Sequence, residues 1–160
     1  MAERRINIGE ITKIEGHANL TIEIDDNEVK KVMFGVHEGS RYFEALMVGK
    51  RYYYLPEIAG KICGICTVAH EIASVRAVED ALGIEVSEEV KNLRKLILIS
   101  SHIQSHILHL YFLVLPDYKG VESAIELAEK NAELMKKAFK LKEASNYMTA
   151  LIGGKAVHPC

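Results

Sequence analysis

Lys61-Ile62-Cys63-Gly64-Ile65-Cys66-Thr67-Val68-Ala69-His70 sets two thiols one helical turn apart, with an imidazole four residues further on. The thiolate is both nucleophile and metal ligand, so a pair this close holds a metal or exchanges electrons. The segment also divides the chain. Upstream, residues 18–24 alternate apolar and polar with a period of two, Asp25-Asp26-Asn27 supplies turn chemistry, and Val29 to Val36 resumes strand composition. That pattern predicts a β-hairpin with one buried face, to which Ile6–Ile11 adds a third strand. Downstream the period is helical: Val68, Ile72, Val75, Val78 and Leu82 form a stripe over Ile65–Leu82, closed by Gly83. The expected fold class is α+β, a small N-terminal antiparallel sheet (1–40) followed by a mostly helical bundle (41–160), within one segment spanning 1–160.

Working outward, Tyr42, Phe43, Leu46 and Met47 predict a short helix ended by Gly49, and Arg51 to Glu57, with three tyrosines, reads as a loop. Ser87-Glu88-Glu89-Val90 opens a further helix with a favourable cap and acids at its positive end; it should run to Leu115, where Pro116 stops it. A last helix covers Val121 to Leu151, with Ile125, Ala128, Ala132, Met135, Phe139 and Met148 inward, and Gly153-Gly154 ends it. The apolar run Leu96–Leu115 carries Ser100, Ser101, His102, Gln104, Ser105, His106 and His109, which favours a buried helix over a lipid span. His102, His106 and His109 share one helical face, and their apolar neighbours point to packing rather than ligation.

The 160 residues are 49% hydrophobic and 26% charged, ordinary for one globular domain. A net charge of −2 gives no footprint for nucleic acid or an anionic membrane. Three cysteines make no disulfide framework, so the expected compartment is reducing and cytoplasmic. The first residues lack the apolar core of a secretory signal. No Trp, one Gln and abundant Ile, Glu and Lys lean toward a thermophile source. Gly153-Gly154-Lys155-Ala156-Val157-His158-Pro159-Cys160 reads as a loop entering another element, which suggests a fragment, a split gene or a truncated reading frame; Cys160 itself reads as an incidental thiol.

Three chemistries compete for Cys63 and Cys66. A structural zinc site needs four ligands, and only scattered histidines are on offer. A thioredoxin-like motif expects a hydrophobic strand before it, and Tyr54 to Lys61 is not one. The third is a site completed by ligands from elsewhere.

The neighbourhood is more specific than the motif. Ile14-Glu15-Gly16-His17, Arg41-Tyr42-Phe43-Glu44, the cysteine motif with His70, His102-Ile103-Gln104-Ser105-His106, Leu115-Pro116-Asp117, and Gly153-Gly154-Lys155 with His158-Pro159 occur in that order. Together they resemble the N-terminal portion of the large, catalytic subunit of nickel–iron hydrogenases, over essentially the whole chain. The resemblance implies reversible oxidation of dihydrogen at a nickel–iron centre. In it, Cys63 corresponds to the terminal nickel thiolate and Cys66 to the thiolate bridging nickel and iron. His70 corresponds to an imidazole that hydrogen-bonds a ligand sulfur, Glu15 to a proton-relaying carboxylate, and Glu44 to a ligand of a buried magnesium. The implied partner is a small subunit carrying iron–sulfur clusters.

Two departures stand out. Lys61 replaces the arginine usual two residues before the first cysteine, losing a planar fork of donors. The family's second cysteine pair and C-terminal magnesium-binding histidine lie on a longer chain, so a separate chain or missing segment has to carry them. A truncated non-catalytic remnant or scaffold of the same lineage, and a small zinc or thiol-redox protein, are the rival readings.

Overall fold

The computed structural model describes residues 4–159. They form two compact units, one ending at Tyr42 and the other beginning at Phe43. Cys160 lies outside the described residues.

In the first unit, β1 (Arg4–Ile8), β2 (Ala18–Asp25) and β3 (Glu28–Val36) make an antiparallel sheet in the order β1-β2-β3. The hairpin between β2 and β3 closes on Asp26 and Asn27, both with positive φ (48° and 62°), the left-handed pair that a tight two-residue turn demands. A register shift at Glu23/Ile24 bends β2. Ala18 and Thr21 of β2 are buried, but Val29, Val32, Phe34 and Val36 of β3 are exposed. The alternation expected of the hairpin is present, yet its apolar face is open along β3.

Helix α1 (Ser40–Met47) begins in the first unit and ends in the second, which is otherwise helical. It is followed by Gly49 at φ 78°, and the tyrosines 52–54 form a 3-10 turn leading into α2 (Leu55–Gly60). Helix α3 (Thr67–Leu82) ends on Gly83 in the left-handed conformation, and α4 (Glu88–Leu108) is capped by the Ser87 hydroxyl, which accepts the Val90 amide. Pro116 does not stop this helix. A π-helical stretch, His109–Val114, leads into α5 (Leu115–Tyr118), where Pro116 sits in the first turn and its missing N–H costs nothing. The expected final helix is two helices: α6 (Ala124–Lys130), capped by Ser123, and α7 (Ala132–Gly153), capped by Asn131. Leu127, Met135 and Ala138 are buried, whereas Ile125, Ala132, Phe139 and Met148 face outward, against the expected inward face.

Two contacts organise the helices. Along the α4–α7 seam, fully buried Ser100 approaches Thr149 (Oγ–Oγ1 2.7 Å), whose hydroxyl donates to the Ser145 carbonyl at 3.1 Å, and Gln104 donates to Asn146. Between α3 and α4, Arg94 grips Glu79 with two charge-assisted bonds, 2.8 and 2.6 Å. The guanidinium hydrogen bonds hold the Glu79 carboxyl below its ordinary value of 4.5.

A depressed carboxyl contributes stability above its ordinary pKa and loses it as pH falls through the lowered one. Arg94→Met should therefore lower the urea midpoint at neutral pH, with the gap to wild type closing as pH falls well below 4.5. A gap unchanged by acid would show that Arg94 acts through packing alone.

Candidate metal centre

Cys63 lies in the loop between α2 and α3, and Cys66 is the residue preceding the first turn of α3. Both are half-buried thiols with no disulfide between them. The Cys66 backbone N–H donates to Cys63 Sγ at 2.8 Å. An amide aimed at sulfur, together with the nearby helix N-terminus, favours the thiolate needed for ligation.

The residues around this loop fix it. Thr67, 2% exposed, donates its hydroxyl to the Cys63 carbonyl at 2.5 Å. His158 Nδ1 lies 2.9 Å from the Gly60 carbonyl and 3.0 Å from Thr67 Oγ1. A carbonyl only accepts, so Nδ1 carries the proton of that bond. A Cβ on Gly64, between the two cysteines, would lie 3.9 Å from Nε2. The Glu71 side chain occupies the space a Cβ on Gly60 would need. Burial pushes the Glu71 carboxyl up, partly offset by His158 and Lys155. Glu57 pairs with Lys61 on the exposed side of the loop (2.5 Å).

The other candidates are placed differently. His70, one turn into α3, lines a hollow of about 460 Å³ with Met47, Tyr52, Leu55, Ile62 and Val78. Glu44 is exposed on α1. Glu15 is exposed in the first unit, where neighbouring Gly16 (φ 77°) lets the chain turn so that the His17 amide donates to Glu38 at 2.9 Å. The His17 side-chain hydrogen bond, and after it that backbone bond, hold the Glu38 carboxyl low. Among the described residues, no three His, Cys, Asp or Glu side chains converge as a complete metal site. The donor set nonetheless fits one side of a thiolate-held metal: two sulfurs on one loop, one receiving an amide proton. It does not fit a self-sufficient zinc site, which needs four ligands.

Sequence reasoning singled out the cysteines but gave no role to Thr67, Glu71 or His158. The available signals were Thr67 at the first helical position after Cys66, where a hydroxyl can reach back to the loop, and the His158-Pro159 segment.

Residues 41–158 match the family model described as nickel-dependent hydrogenase, and residues 5–38 match one described as HoxL-like. The chain is 43% identical to the alpha subunit of sulfhydrogenase 2 from Pyrococcus furiosus, over 96% of this chain and 37% of that protein. It is 37% identical to the alpha subunit of sulfhydrogenase 1 from the same organism, covering 96% of this chain and 36% of the relative. Among solved structures, an NAD+-reducing [NiFe]-hydrogenase in the H2-reduced state superposes with a TM-score of 0.75 and 28% identity, over 99% of this chain and 37% of that one. The reduced Ni-Fe-Se hydrogenase of D. vulgaris Hildenborough gives 0.66 and 27%, over 96% and 35%. The chain thus spans well under half the length of these relatives. With matches running through both units and the cysteine loop, the chain belongs to the nickel-dependent hydrogenase family, as the N-terminal portion of its large subunit.

Proposed function

We propose that this chain supplies two of the thiolates of a nickel–iron centre, Cys63 as a terminal nickel ligand and Cys66 as a bridge, in an enzyme that reversibly oxidises dihydrogen to protons and electrons. The observation that carries the reading is the reduced pair on one loop, with the Cys66 amide bonded to Cys63 Sγ at 2.8 Å. When bound, the centre supplies the Lewis acidity and redox capacity for heterolytic cleavage of dihydrogen. The chain's own residues orient its sulfurs: Thr67 holds the Cys63 carbonyl, and His158 locks the end of α2 to the start of α3. Glu15 is the proposed proton acceptor, and Glu44 the proposed magnesium ligand. The remaining thiolates come from the large-subunit portion that relatives carry beyond the matched region, and electrons leave through a small subunit bearing iron–sulfur clusters.

Nickel analysis of the chain assembled with that complementary portion tests the reading. Wild type should hold nickel stoichiometrically; Cys63→Ser and Cys66→Ser should hold none. His158→Ala, which frees the loop, should weaken nickel retention about 10- to 100-fold, the usual effect of losing a group that orients ligands. His70→Ala should leave nickel in place. Stoichiometric zinc without nickel in the assembled wild type would refute the hydrogenase reading.

Glu71 gives a second test, independent of metal. A carboxyl raised by burial favours folding while protonated, so its contribution is whole below the ordinary value of 4.5 and is lost as pH rises through the raised one. Glu71→Gln should be more stable than wild type at neutral pH, and the difference should vanish in acid. Equal thermal midpoints at every pH would show that Glu71 is fully solvated.

A further inference from the structure

Helix α4 is built the reverse of an ordinary core helix, with a polar side covered and an apolar side open. Ser100, Ser101 and Gln104 are buried, Ser100 and Gln104 bonded to residues of α7, whereas Leu96, Ile99 and Ile103 are exposed. Only 22% of the most apolar 18-residue window in the continuous helix Glu88–Tyr118 is buried, so the helix expected to be buried is mostly open. By length and composition it is long enough to cross a membrane, but the imidazoles in its middle suit a lipid core poorly.

His102, His106 and His109, expected to pack, are exposed instead. His102 and His106 stand on successive turns with ring centroids 6.3 Å apart and planes inclined by 28°. Among the described residues, neither of these two imidazoles is engaged in a hydrogen bond or an ion pair. Side chains four residues apart on a helix are neighbours, and two imidazoles so placed can grip one metal ion through their ring nitrogens. Bonds of about 2.0–2.1 Å to a shared ion bring two ring centres to about 5 Å. Rotation of two exposed side chains closes that gap from 6.3 Å without moving the helix.

We propose that His102 and His106 chelate a divalent cation of the late first transition row, nickel or zinc, on the open side of α4. Donor type sets the selectivity. Neutral imidazoles suit nickel, copper and zinc, whereas magnesium and calcium want oxygen ligands. No Asp or Glu occurs from Leu96 to Leu115 to draw a hard cation instead. The helix backbone already fixes the four-residue spacing, so binding has only two side chains to order. Two protein ligands, with water completing the coordination on a solvent-facing side, hold the ion reversibly. The aliphatic neighbours that pointed to packing in the sequence are themselves exposed, which leaves the stacked pair available for ligation. The site stands apart from the thiol reading, since no sulfur takes part in it.

The test uses the full 160-residue chain carrying Cys63→Ser, Cys66→Ser and Cys160→Ser, which removes competing thiolates. Equilibrium dialysis against nickel chloride should find a bound Ni2+ that Zn2+ displaces and Mg2+ does not. His102→Ala and His106→Ala should each weaken binding at least about 10-fold, the low end of what losing even an outer-sphere group costs. His106→Ala combined with Ile103→His keeps the number of histidines but sets two rings at adjacent positions, which do not face each other. That variant should bind as weakly as His106→Ala alone. Circular dichroism should be the same for all, because residues 102, 103 and 106 are exposed. In the unaltered chain, Ni2+ in excess of the thiols should shield His102 and His106 from acylation by diethyl pyrocarbonate, read by peptide mass, so the outcome does not hang on the serine background. Nickel binding that survives both single substitutions, or that the displaced-histidine variant retains, overturns the site. So does acylation of His102 and His106 that Ni2+ leaves unchanged. Nickel held only when the thiols are present, indifferent to His102 and His106, would overturn this site and leave the thiol reading standing; binding that needs the histidines and not the thiols would support it whatever the fate of that reading.

Discussion

The hydrogen bond from His158 to the Gly60 carbonyl joins residues 98 apart in sequence. It ties the segment after α7 to the loop that bears the thiols, through a ring also in contact with Thr67. Local contacts complete the loop around this closure. Thr67 is positioned to hold the Cys63 carbonyl, and the next turn of α3 brings Glu71 over Gly60. Even the path of the closing segment is tight. A Cβ on Gly153 would collide with Pro159 and come within 2.7 Å of Ile97, so α4, α7 and the following strand of chain meet where only glycine fits. The thiol loop is therefore part of the packed body, not an appendage to it.

The seam between α4 and α7 explains how the bundle tolerates an inverted helix. Serine and threonine hydroxyls on the covered faces satisfy one another and a backbone carbonyl, so no buried side-chain polar atom among the described residues lacks a partner. Small side chains let two long helices approach closely without large apolar surfaces. The aliphatic residues of α4 are then free for the other side. The apolar core visible in this chain is correspondingly modest, centred on Val121, Leu127 and Met135 with Phe112 and Leu115 packed against it.

Local signals were legible wherever chemistry is local. The Asp26-Asn27 turn, the Gly83 terminus and the Ser87 cap all appear where turn and cap residues placed them. The break at Asn131 was not legible, because an asparagine mid-pattern looks like a solvated helix position until its side chain caps the Leu134 amide. Pro116 misled for a related reason: a π-helical stretch before it removes the clash that would have ended the helix. At the site, spacing drew attention to Cys63 and Cys66, and the neighbouring segments narrowed their chemistry. His158 stood out only as part of the His158-Pro159 segment; its partners lie 98 and 91 residues away, a separation no local pattern encodes.

Periodicity also has a limit that α4 makes concrete. Apolar residues at helical spacing declare a buried face, and the sequence of Leu96–Leu115 declares it strongly, yet that face is open here. The pattern gives the spacing of an apolar face and not what covers it. The proposed thiolate site shares this trait: two sulfurs are presented on a loop held by its own hydrogen bonds. A flexible loop would have to be ordered when metal arrives, which costs about 1–2 kcal/mol for each backbone residue fixed. Thr67 and His158 hold the Cys63–Cys66 loop beforehand, so under the proposed reading much of that cost is removed from the metal-binding step.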